Sequence, residues 1–191
     1  MDGTNIDAAA VERAREAALR SLERSRKTRR ELERRLATKG FDAPTVAAAL
    51  DRLARVGLID DVEYARAFVR SKLARRTVAL RVVEGQLAAR GVSPADRAAA
   101  LDSLDAEAAR EPDDPEIALR RSGGAGERAR ADQALAPILR RYRGLDPREA
   151  WGKAQAALLR RGFDYATVRE AVTAALEGTL EGTSPEDAEV L

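Results

Sequence analysis

One six-residue pattern recurs three times in this chain, and it constrains the fold more than any other feature. It reads Leu-x-x-basic-Gly-apolar, at Leu36–Phe41, Leu87–Val92 and Leu158–Phe163. Each copy is followed at once by a residue suited to start a new helix: Asp42, Ser93 and Asp164. Ten residues beyond each glycine lies Leu50, Leu101 or Val172. The chemistry of the pattern is that of a helix ending: glycine takes the left-handed position past the last turn, and the apolar residue after it folds back on the helix. The basic residue sits in the last turn, where it suits the negative end of the helix dipole. Lys39, Gly40 and Phe41, then Arg90, Gly91 and Val92, then Arg161, Gly162 and Phe163 are therefore read as structural repeat junctions.

Glycine spacing is 51 residues and then 71. The excess in the second interval matches the Gly- and Pro-rich stretch 111–126, which reads as a flexible linker. What remains is a unit of about 50 residues, repeated in tandem. Apolar residues follow a helical period wherever they are dense: Val46, Ala49, Leu50 and Leu53; Tyr64, Ala65, Phe68 and Val69; Tyr165, Val168, Ala171 and Val172. No stretch alternates with period two. Thr28–Glu31, Asp60–Glu63 and Asp146–Glu149 each match a capping box. The expected helices are 9–25, 29–38, 43–55, 61–74, 78–89, 94–108, 127–142, 147–160 and 165–177. Gly85 falls inside one and Pro137 inside another, where it is expected to kink or divide the helix. Repeat two matches least well at Arg97, which stands where Val46 and Val168 stand in the others.

These elements give an all-α chain of three tandem three-helix units resembling helix-turn-helix modules. The expected organisation is a disordered N-terminus over 1–9, repeats over 10–56 and 57–110, the linker 111–126, a third repeat over 127–177, and an acidic disordered tail over 178–191. Forty alanines among 191 residues favour helices, and an aromatic content of only 4% argues against a large aromatic core.

Chemistry is bounded by what is missing. With no Cys and no His, thiol nucleophiles, zinc ribbons, imidazole bases and Ser-His-Asp triads are excluded. Gly123–Gly126 is not followed by Gly-Lys-Ser/Thr, so it is not a phosphate loop. No catalytic residue, metal site or cofactor is expected. No apolar run approaches a membrane span, and Met1–Ala10 lacks the features of a signal peptide, so a cytoplasmic location is expected.

Net charge is only +2, but residues 11–176 hold all 34 bases against 25 of the 32 acids. The excess gathers in Arg13–Lys39 and Arg66–Arg90, while Asp102–Glu116 is acidic. A basic body points to an anionic partner such as nucleic acid; the plainer reading is a solvated helical surface laced with ion pairs.

The junctions, taken with Gly57-Leu58-Ile59-Asp60-Asp61, Tyr64-Ala65 and Phe68-Val69-Arg70-Ser71, resemble the RecX regulators of the RecA recombinase. Arg26–Leu32 resembles the basic, capped opening of that family's second helix, and Arg160–Tyr165 its third repeat. The likeness spans about residues 10–176. It implies a non-enzymatic inhibitor that binds RecA or RecA–DNA filaments, in DNA recombination, repair and the SOS response. It also implies an elongated, curved array suited to a filament groove, with single- and double-stranded DNA as further partners. A monomer is expected.

With Leu32 and Leu36 inward, Lys27, Arg30 and Arg34 face out; with Tyr64, Ala65, Phe68 and Val69 inward, so do Arg66 and Arg70. Arg75, Arg76 and Arg81 flank the next helix start. These eight are the expected partner- or DNA-binding residues. Asp60 and Asp61 are read as helix caps rather than a metal pair. Trp151, Phe41 and Phe163 are read as packing residues. The competing functions are a helix-turn-helix transcription factor and a passive helical scaffold.

Overall fold

The computed structural model describes residues 7–75, 77–111 and 123–181. Among them lie nine helices and no strand. They are α1 (Ala8–Arg24), α2 (Arg29–Thr38), α3 (Ala43–Arg55), α4 (Asp61–Arg75), α5 (Leu80–Ala89), α6 (Pro94–Arg110), α7 (Gly123–Arg141), α8 (Pro147–Arg160) and α9 (Tyr165–Glu181). The chain is all-α, built of three tandem three-helix repeats. Residues 1–6, Arg76, 112–122 and 182–191 lie outside the described residues. With them go most of the expected disordered N-terminus, linker and acidic tail, but Ala8 and Ala9 are helical in α1 and α9 runs on through residues 178–181, so those parts of the expectation are corrected.

The junction glycines have φ of +87° at Gly40, +85° at Gly91 and +88° at Gly162. At each, the apolar residue's N–H reaches back to the Leu carbonyl of the motif: Phe41 to Leu36 at 3.2 Å, Val92 to Leu87 at 3.1 Å, Phe163 to Leu158 at 3.3 Å. The glycine N–H closes the inner ring at 2.9 Å in all three. Two orphan carbonyls are thereby satisfied at each helix end. A fourth ending of the same kind closes α3, where Gly57 has φ +72° and Leu58 N–H reaches Leu53 at 3.0 Å.

The helix starts differ in how fully they are capped. At Thr28 both halves of the box form: Glu31 N–H donates to Thr28 Oγ1 at 3.1 Å, and Thr28 N–H to Glu31 Oε2 at 3.1 Å. Asp60 and Asp146 accept from the backbone, but Glu63 turns instead to Arg66 and Glu149 to Lys153. Asp42 and Asp164 accept from Thr45 and Thr167. The Thr45 N–H holds the Asp42 carboxyl, and the Thr167 hydroxyl and N–H hold the Asp164 carboxyl, below the ordinary aspartate pKa.

Packing divides the chain into two compact units. One takes residues up to Val69 together with Glu84–Ser103; the other takes Arg70–Val83 together with residues from Leu104 onward. Helices α4, α5 and α6 each contribute a stretch to either unit. The core of the first is Val11, Ala14, Ala17, Ala18, Leu32, Leu36, Val46, Ala49, Leu50, Leu53 and Ile59. In the second, Ala131, Ala134, Leu135, Ile138, Ala154, Leu158, Phe163, Val168, Ala171 and Val172 close on Ala79. Phe163 is fully buried there, and half-buried Trp151 packs against this core.

Two expectations about α7 are corrected. The helix starts at Gly123, so the described part of the expected linker, Gly123–Gly126, forms its first turn. Gly126 is buried, and close packing offsets the poor helix propensity of glycine. Nor does Pro137 divide the helix, which runs through it to Arg141. Pro137 and Gln133 both lie on the exposed face, so the carbonyl that loses its N–H partner faces water. One residue further along, the Ala134 carbonyl accepts from Arg161 Nη1 at 3.0 Å. At the other weak match, Arg97 Nη1 donates to the Val92 carbonyl at 2.6 Å.

Candidate partner-binding surface

The second helix of a repeat meets the junction of the repeat that follows it, and it does so twice in equivalent ways. In the first unit, Thr28 at the start of α2 donates its hydroxyl to the Arg90 carbonyl at 2.7 Å. The next residue, Arg29, donates its N–H to Asp61 Oδ1 at 2.9 Å. Gly91 lies so close to α2 that a Cβ there would stand 2.4 Å from Arg30 Cβ. In the second unit, Ala79 N–H donates to the Arg161 carbonyl at 3.1 Å, and Leu80 N–H to Glu127 Oε2 at 3.3 Å. A Cβ on Gly162 would stand 2.3 Å from Val82 Cγ2. At Gly40 a Cβ would meet nothing within 4 Å.

This arrangement gives several expected site residues structural work. Asp60 caps its own helix, accepting from Glu63 N–H at 2.9 Å, whereas Asp61 caps α2. Burial pushes the Asp61 carboxyl above the ordinary aspartate pKa, against the pull of the Arg29 N–H. Arg90 places its guanidinium 4.6 Å from the centre of the Phe68 ring. Arg81 donates to the carbonyls of Gly162 and Phe163. Lys39, at the first junction, is exposed.

Ion pairing occupies much of the expected basic face. Arg30 Nη1 lies 3.2 Å from Glu33, and Arg66 Nη1 lies 3.0 Å from Glu63. Arg70 holds both carboxylate oxygens of Glu107 through Nη2. Lys27 is half-buried beside Ser25. Arg34 is exposed and forms no ion pair among the described residues. The side chain of Arg75, like all of Arg76, lies outside the described residues.

Within the first unit, Arg30 and Arg34 stand on the rim of a concave groove of about 410 Å³ between α2 and α3. Its floor is apolar, with Ala37, Phe41, Ala43, Val46 and Ala47, and Glu33, the ion-pair partner of Arg30, also lines it. This combination of arginine rim and apolar floor suits a protein surface better than a bare phosphate ribbon. Of the three helices that would read an operator, those of the first two repeats are poorly equipped for it, whereas α9 presents Tyr165 and Arg169. The exposed first turns of α3 present Ala43, Pro44 and Ala47, and those of α6 present Pro94, Ala95 and Ala98. None can donate to a base edge. Among the described residues no group of three or more acids gathers as a metal site, and no helix is long and apolar enough to cross a membrane.

The three repeats coincide with three family models: RecX, first three-helix domain, over residues 14–53; RecX, second three-helix domain, over 60–101; and RecX, third three-helix domain, over 127–172. The chain belongs to the RecX family. Regulatory protein RecX of Mycolicibacterium vanbaalenii is 34% identical over 176 residues, covering 89% of this chain and 86% of that protein. Regulatory protein RecX of Chromohalobacter salexigens is 36% identical over 165 residues, covering 86% and 94%. The crystal structure of RecX from Lactobacillus salivarius superposes with a TM-score of 0.69 at 19% identity, over 87% of this chain and 97% of that one. The repeat junctions found in the sequence are thus those of a RecX fold.

Two parts of the RecX surface were missed in reading the sequence. The acid caps across repeats, Asp61 and Glu127, carry no local signal, since each serves a helix other than its own. Arg130 is only 1% exposed and pairs with Glu127, although its place in a run of alternating Arg and Ala suggests a surface residue.

Proposed function

We propose that this RecX-family chain is a non-enzymatic regulator that binds RecA or its DNA filament in the cytoplasm. It acts as a monomer and restrains filament extension, ATP hydrolysis and strand exchange by lying in the filament groove. The observation that carries this reading is the match of all three repeats, in order, to a family whose members are called regulatory proteins. In the first unit, contact falls to the groove rimmed by Arg30 and Arg34, with Lys27 and Arg66 as further cations. In the second, it falls to Arg75 and Arg76, while Arg70 is held by Glu107 and Arg81 by its own junction. DNA contributes through the same cations.

The test is a single-strand-DNA-dependent RecA ATPase assay with recombinase from the same organism and DNA in excess. Inhibition well below one chain per recombinase monomer is expected. No inhibition at equimolar protein overturns the reading. Charge reversal at Arg34 is expected to weaken inhibition without altering the helical circular dichroism spectrum.

A further inference from the structure

The third repeat carries a second concave site that none of the expected binding residues touches. It has a volume of about 450 Å³ and lies between the C-terminal ends of α7 and α8. Its floor is Pro137, Ile138 and Ala157; its rim is Arg141, Arg160 and Arg161, with Tyr142 beside them. No acid lines it. Arg141 and Arg160 are exposed and form no ion pair among the described residues, unlike Arg30, Arg66 and Arg70. Arg161 is pinned by its bond to the Ala134 carbonyl, so one guanidinium of the rim is already oriented.

Basic residues in a last turn are explained in part by the helix dipole. That accounts for one or two cations at each helix end. It does not account for an apolar floor beneath them, nor for a cavity of the size that takes a side chain or two. We infer that this groove docks a segment of a partner protein that presents an apolar side chain flanked by carboxylates. The apolar group fills the floor, and the carboxylates meet the arginine forks.

A nucleic-acid strand fits less well. Binding to single strands draws on free aromatic faces as stacking platforms. The one aromatic here, Tyr142, is half-buried, and Lys153 Nζ stands over its ring at 5.7 Å. A phosphodiester ribbon also has nothing to place on Pro137, Ile138 and Ala157. The inference does not rest on the recombinase reading, and either can fail alone.

The test uses the full chain and fluorescence anisotropy with two labelled synthetic peptides. One alternates glutamate and leucine; the other replaces every leucine by glutamine. The leucine peptide is expected to bind, and the glutamine peptide several-fold more weakly. R141E/R160E is expected to weaken the leucine peptide about tenfold. R24E/R35E makes the same charge change on exposed residues of α1 and α2 and is expected to leave binding unchanged. Equal binding by R141E/R160E and the parent chain overturns the proposal, as does equal affinity for the two peptides. Displacement of the leucine peptide by oligothymidylate that itself binds more tightly would make the groove a phosphate site, and overturn it too.

Discussion

Alanine at Gly91 and at Gly40 tests the packing of one repeat on the next. Both glycines have nearly the same left-handed φ, +85° and +87°. Adding a Cβ in that conformation costs about 1–2 kcal/mol at either site. The surroundings differ. At Gly40 the new methyl meets nothing within 4 Å, so G40A carries only the backbone cost. At Gly91 it would stand 2.4 Å from both Cβ and Cγ of Arg30. Cβ is attached directly to the α2 backbone and cannot swing aside, so the helix itself must shift. Overpacking of that kind adds about 1–3 kcal/mol. The shift would also strain the Thr28 hydroxyl bond to Arg90 and the Arg29 bond to Asp61. G91A should therefore be less stable than G40A by about 2 kcal/mol, or about 4–8 °C in melting temperature. Urea unfolding followed by far-UV circular dichroism measures the difference. Equal losses for the two variants would refute the claim that Gly91 is the contact point.

Gly85 is an exposed interior position of α5 with ordinary φ and open space where a Cβ would go, so G85A should raise stability by about 1 kcal/mol in the same urea assay. Arg130→Ala should cost about 3–5 kcal/mol, because it leaves Glu127 partly buried without the cation it faces. Two acids should show opposite pH behaviour between neutral pH and about pH 3. The lowered pKa of Asp164 means that its contribution is full above the unfolded value and is lost as pH falls, so D164N should destabilise at neutral pH and converge on the parent in acid. The raised pKa of Asp61 reverses the sign: its contribution is fullest in acid and is lost as pH rises, so the parent should gain on D61N as pH falls. Parallel stability–pH curves for either variant and the parent would contradict the corresponding sign.

Most helix starts and ends are written in short-range signals along the chain. Thr28, Asp42, Asp60, Asp146 and Asp164 act within a turn of their own position, and so do the glycines at 40, 91 and 162. Local hydrogen-bond closure needs only neighbours in the chain, which is why the interior helix bounds were legible to within about two residues. The three-helix repeat followed from the same punctuation. Even the α7 boundary was misjudged for a non-local reason: Gly126 is helical because it is buried, and burial has no mark in the run Gly-Gly-Ala-Gly.

Which surfaces are free depends on long-range packing. Arg30, Arg34, Arg70 and Arg81 look alike in sequence, all basic, three on outward faces and Arg81 beside a helix start. The fold ties Arg70 to Glu107, 37 residues away, and Arg81 to carbonyls about 80 residues away, while Arg34 keeps its charge for a groove rim. Asp61 reads as a cap for α4 and serves α2 instead. Arg141 stands in no motif and Arg160 only fills a variable position of its junction; they become a site only because two helix ends converge over Pro137 and Ile138. Caps and turns are set by residues three or four apart, whereas charge pairing and concavity are set by residues that only folding brings together.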